Sequence, residues 1–204
     1  MCAAAGSGSP FPAAGALNLW ELPQKVKLGG KDWEFSGDFR NILLILSYFQ
    51  KPEFPDFLRW QIALALFYKE PIPPQLQPEA MEYLALFING GRLDRGTGGQ
   101  RLLDWQQDAP LILAGVNQAA GQEVRALPFC HWWTFLSYFH AIGEGPLATV
   151  VSIRKKLSQG KKLEPWEKDY YRENPALVDL KKTYTRQEEQ ERERLLRLLE
   201  GKGG

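Results

Sequence analysis

Both histidines of this 204-residue chain, one of its two cysteines and two of its seven tryptophans fall within residues 130–140, CHWWTFLSYFH. A cysteine beside a histidine suggests an activated thiolate, and two histidines near a cysteine suggest a metal centre. Dense aromatics suggest a binding surface or plain core. Helical geometry separates these chemistries. Neighbouring residues point about 100° apart on a helix, so Cys130 and His131 cannot serve each other as nucleophile and base. No third, orienting group is recognisable. His131 and His140 fall about 180° apart round the same helix and cannot share a metal. A lone cysteine on an apolar helix behaves as a small hydrophobe. The segment reads as core, with no catalytic residue, metal or cofactor expected. Trp132, Phe135, Leu136 and Phe139 form one stripe, while Trp133 faces a second side. Either the helix is buried on both sides or Trp133 lies at a partner interface.

Three further stretches could bind. Residues 95–100, RGTGGQ, have the glycine content of a phosphate loop but lack its closing Gly-Lys-Ser/Thr. With no buried strand before them, they read as a helix connector. Residues 154–162 hold five cations and no acid: Arg154, Lys155, Lys156, Lys161 and Lys162. Cations near a helix C-terminus complement its dipole, and Gly160 suits a cap, so the first reading is a solvated turn. An acidic protein partner and nucleic-acid phosphates are the other readings, the last of them disfavoured. Residues 186–197 mix charges of both signs and run into Leu195, Leu196, Leu198 and Leu199. Leucines cannot bury themselves along so polar a helix. Leu195 and Leu199 mark either a fraying tail or a docking element for a partner helix or a second copy.

Composition is that of an ordinary soluble globular protein, 44% hydrophobic and 24% charged. A net charge of +1 supplies no global field toward nucleic acid or membrane. No apolar run reaches the roughly 18–20 residues of a membrane span. Two distant cysteines point to reduced thiols in a cytosol. Residues 1–16 lack the early basic residue and apolar core of a signal peptide and read as a flexible extension.

The elements that hold these residues follow from changes of period. Val26, Leu28, Trp33 and Phe35 alternate around Gly29-Gly30, which predicts a β-hairpin near 25–36, lying on helices because it is marginal alone. Asp38 then caps a helix carrying Phe39, Ile42, Leu43, Leu46 and Phe49. A helix over 55–69 is apolar nearly all round and should be central. Others are expected near 78–88, from 102 to 120 with a break at Pro110, and over 128–142. Pro146, Pro165 and Pro175 each suit a first helical position, predicting helices over 146–158, 165–173 and 175–200. Asn174 would cap the last. The class is mainly α: a multi-helix domain over 17–180 with one short N-terminal hairpin, followed by a charged helical tail over 181–204.

Taken in order, the hairpin, GDFRNIL (37–43), DWQQDAPLI (104–112), LPFCHWWTFLSYFHAI (127–142) and VVSIRKKL…KKLEPWEKDYYREN (150–174) resemble the bacteriophage family labelled "gene product fifteen". The resemblance spans roughly 17–180, and the His-Trp-Trp segment with the downstream Ile-Arg is its most specific part. It implies a mostly helical, non-enzymatic tail-assembly chaperone of long-tailed phages and prophages. Such a protein would coat the helical tape-measure protein, help recruit tail-tube subunits, work in the bacterial cytoplasm and be absent from the virion. It implies structural or contact roles for Asp38, Phe39, Arg40, His131, Trp132, Trp133 and Arg154. Residues 1–16 and the charged stretch beyond Tyr184 depart from the family pattern.

Overall fold

The computed structural model describes residues 20–92 and 101–181. The connector at 95–100, the extension at 1–16 and the leucines Leu195 and Leu199 lie outside the described residues. Strands β1 (Lys25–Leu28) and β2 (Lys31–Glu34) pair antiparallel, with Val26 opposite Trp33. Their two-residue turn needs positive φ at both positions, which Gly29 (55°) and Gly30 (84°) supply. Leu28, Trp33 and the following Phe35 are buried. Beyond β2 the chain bonds to the end of a helix, through Ser36 N–H to Phe67 O (2.7 Å) and Lys69 N–H to Glu34 O (3.1 Å). Phe35 stacks on Phe67 with centroids 4.5 Å apart. The hairpin therefore rests on helices, as its marginal size requires.

The helices are α1 (Phe39–Phe49), α2 (Asp56–Phe67), α3 (Gln77–Ile88), α4 (Ala109–Ala120), α5 (Trp132–His140), α6 (Pro146–Ser158), α7 (Pro165–Glu173) and α8 (Pro175–Val178). Short 3-10 turns cover Pro74–Leu76 and Val124–Ala126. All three expected proline starts are present. The buried stripe of α1 is Phe39, Ile42 and Ile45, which packs against α2 and α5. Helix α4 lies between α5 and α6. It approaches the end of α5 so closely that a Cβ on Gly115 would meet Ile142 at 2.9 Å.

Four local expectations are corrected. Helix α2 is not central: it packs on α1 and α3, buries Ala63, Leu64 and Phe67, and leaves Phe57 69% exposed. Its apolar circumference exceeds what its neighbours cover. Helix α5 starts at Trp132, not 128, because residues 130–132 are held extended against 37–39. Asn174 does not cap α8; its side-chain amide donates back to Tyr170 O of α7. Finally, no continuous helix runs from 175, since α8 stops at Val178 and Asp179 is extended. Two residues on, Lys181 N–H bonds to Gln107 Oε1 at 2.9 Å. The carbonyl of Leu177 that Lys181 would have met accepts from Arg154 instead.

Candidate functional site

Six of the residues singled out by the resemblance meet where α1 and α5 begin. Asp38 caps α1 through its carboxylate, which accepts from Arg40 N–H at 2.9 Å. The same carboxylate accepts from Cys130 N–H at 3.0 Å, on a segment far away in sequence. Backbone bonds from Phe39 N–H to Cys130 O (2.9 Å) and Trp132 N–H to Gly37 O (2.7 Å) tie the two helix entries together. Arg40 spans the junction: Nη1 reaches both Asp38 oxygens, at 3.1 and 2.9 Å, while Nη2 donates to Leu127 O at 2.6 Å and Arg125 O at 3.0 Å. Phe39 stacks face to face on Phe135, centroids 4.6 Å apart. The motif Asp-Phe-Arg is thus one cap, one core ring and one clamp. Asp38→Ala should lower stability by about 2 kcal/mol, since it removes a helix cap and a charged partner together. Asp38→Asn should recover part of that loss in urea denaturation, because an amide oxygen still caps.

His131 is 2% exposed and caps α5, its Nδ1 accepting from Trp133 N–H at 3.1 Å. An accepting Nδ1 places the proton on Nε2, which then donates to Pro23 O, 3.0 Å away. Both ring nitrogens are engaged, so His131 has no free base for Cys130. The Cys130 thiol is buried, 3.8 Å from His131 O, and burial pushes its pKa up, opposite to an activated thiolate. Burial likewise lowers the pKa of His131, against a smaller opposing effect of the bond to Pro23. A protonated ring would lose the Nδ1 acceptor. The unfolded chain therefore binds this proton more readily than the folded one, and stability is complete above the ordinary value of 6.5. It should fall as the pH drops below that value. His131→Asn, which can cap without titrating in this range, should flatten this component between pH 7.5 and 5.5 in urea midpoints.

Both tryptophans are buried, Trp132 at 1% and Trp133 at 8% exposure. Their indoles donate to successive carbonyls at the end of α3, Trp132 to Ile88 O (2.8 Å) and Trp133 to Phe87 O (2.9 Å). Trp132 packs edge-on to Trp105 and stacks on Phe135, while Trp133 stacks on Phe87. Of the two arrangements open for this helix, burial on both sides is the one found. Trp133 and His131 form one wall of a groove of ≈ 900 Å³, which Leu22, Pro23, Lys69 and Phe129 also line.

Arg154 is away from this junction and is not part of a solvated turn. It is 5% exposed, and all five guanidinium N–H groups have acceptors. Nη1 and Nη2 take the two oxygens of Asp108 at 2.7 and 2.8 Å. Nε donates to Val178 O (2.7 Å), Nη1 to Leu102 O (2.9 Å) and Nη2 to Leu177 O (2.7 Å). Lys156 also turns inward, to the buried Glu167 at 2.7 Å, whose carboxylate accepts from Glu164 N–H as well. Only Lys155, Lys161 and Lys162 of the basic run remain exposed. Gly160 does end α6, with Lys161 N–H bonded to Lys156 O.

The family described as "Bacteriophage Gp15 protein" matches residues 19–180. The chain belongs to this family. No curated protein and no solved structure matches it. The Gp15 match ends at 180, one residue before the described fold does, after α8 has been fastened by Arg154. Within it, the seven residues singled out by the resemblance serve internal contacts: six at the junction of α1 with α5, and Arg154 in its pair with Asp108. Asp108 and Glu167 are structural partners that inspection of the sequence missed. Asp108 stood before Ala109-Pro110, the place of a helix cap, and its carboxylate is spent elsewhere. Nothing in spacing linked either acid to its cation. Among the described residues no group of histidine, cysteine, aspartate and glutamate could hold a metal, and no helix is long and apolar enough to cross a membrane.

Proposed function

We propose that this protein is a tail-assembly chaperone that binds helical segments of the tape-measure protein, keeps them soluble and helps recruit tail-tube subunits. It would act in the cytoplasm of the bacterial host and leave with no finished virion. The observation that carries this reading is the Gp15 family match across 19–180, nearly the whole described fold. Two features support it. The seven residues singled out by the resemblance are engaged internally, so binding falls to outward apolar side chains such as Leu157 and Trp166. And the inward turn of Arg154 and Lys156 leaves too few cations at 154–162 for a phosphate-tracking surface.

Co-expression with the tape-measure protein tests the reading. A raised soluble fraction and a co-purifying complex are the expected result; neither appearing would defeat it. Mass spectrometry of purified virions separates the chaperone from a neck or tail-completion component, which would be present at structural stoichiometry.

A further inference from the structure

The geometry points to the face built by α6, α7 and α8 as the docking surface for an amphipathic helix whose apolar stripe is flanked by acidic side chains. This deepens the chaperone reading and rests on it. Three large apolar side chains stand out here, one per helix: Leu157 (40% exposed), Trp166 (57%) and Leu177 (38%). They belong to one rigid joint. Lys156, beside Leu157, is bonded to Glu167, beside Trp166. Arg154, one turn before Leu157, holds the carbonyl of Leu177, and Tyr171 of α7 bonds Asp179 just past α8 at 2.7 Å. The internal bonds of Arg154 and Lys156 thus fix the spacing of three side chains that none of them covers.

Charge selects the occupant. Lys155, Lys161 and Lys162 are exposed at this joint, and among the described residues none of them is bonded to an acid. Of the neighbouring acids, Glu167 is consumed by Lys156 and Asp169 by Arg172 at 2.8 Å, while Glu164 is engaged in the capping box of α7. The dipole of α6 accounts for cations at its end but not for exposed leucine and tryptophan beside them. Apolar anchors within a cationic rim match a helix with apolar anchors and an acidic rim. Phe57 is more exposed than any of the three, yet it lies on α2, with Arg59, two residues on, already bonded to Asp56.

The test is capture of the co-expressed tape-measure protein by the full chain, its Trp166→Glu and Leu157→Glu variants, Lys161→Glu/Lys162→Glu, and Phe57→Glu as a control. Circular dichroism and thermal unfolding confirm that each variant is folded. The expected result is a loss of capture of roughly tenfold or more for the α6 and α7 variants and little change for Phe57→Glu. The lysine pair should also lose capture, and raising salt should weaken the wild-type complex. Loss by Phe57→Glu with retention by Trp166→Glu would move the site to α2 and overturn the proposal. Insensitivity to the lysine pair and to salt would overturn the acidic partner. A Trp166→Glu variant that captures normally but loses self-association in light scattering would assign the face to a second copy instead. No capture by the wild type would sink the chaperone reading itself, and this inference with it.

Discussion

Arg154→Ala is expected to lower the unfolding free energy by about 3–5 kcal/mol, measured by urea denaturation. The size follows from what is left behind. Asp108 is 2% exposed and would be left in the interior with only Asp104 N–H, 2.9 Å away, donating to it. The carbonyls of Leu102, Leu177 and Val178 would lose their side-chain donor together. Arg154→Lys should recover little, since an ammonium offers three donors where five fixed ones are used. Replacing both partners, Arg154→Met with Asp108→Leu, should recover part of the loss by removing the stranded carboxyl group. A loss below about 1 kcal/mol for Arg154→Ala would show that the pair is hydrated and the joint soft.

Trp132→Ala and Trp133→Ala should each cost about 3–5 kcal/mol, a similar loss at both positions. Each substitution empties a large volume inside the aromatic core and strips a donor from the end of α3. Phenylalanine at either position should keep much of the burial and lose mainly the indole bond, at about 1 kcal/mol. Urea midpoints for the four variants decide the matter. If Trp133→Ala unfolds at nearly the wild-type midpoint and yet fails to capture a partner, the second tryptophan belongs to an interface after all.

Much of the architecture was readable because it is written locally. Prolines at first helical positions, glycines at turns, period-two alternation in the hairpin and the Asp38 cap all act within a few residues. What was not readable depends on distance. The extended stretch before Trp132 exists because residues 37–39 bond to it. The stop at Val178 exists because Arg154 takes the carbonyls that a longer helix would need. The basic run at 154–162 looks uniform in sequence, but two of its cations face inward, toward acids contributed by α7 and the entry to α4. Composition cannot say which cation of a run is buried. The apolar residues of α2 fall on every side of the helix, and only the number of neighbours decides how many of them are covered.

The twin indoles at the end of α3 have a dynamic consequence. Phe87 O and Ile88 O are among the last carbonyls of that helix, beyond the reach of its own ladder; Phe87 O also accepts from Gly90 N–H at 3.1 Å. Their side-chain donors come from residues 46 and 44 positions later. The last turn of α3 is thus fastened by the first two side chains of α5. In native-state hydrogen exchange the amides of Asn89 and Gly91, which close α3 on Ala85 and Leu86, should open with that of Phe135, which bonds to His131 O in α5. Two stretches separated by a whole helix in the chain would then behave as a single cooperative unit.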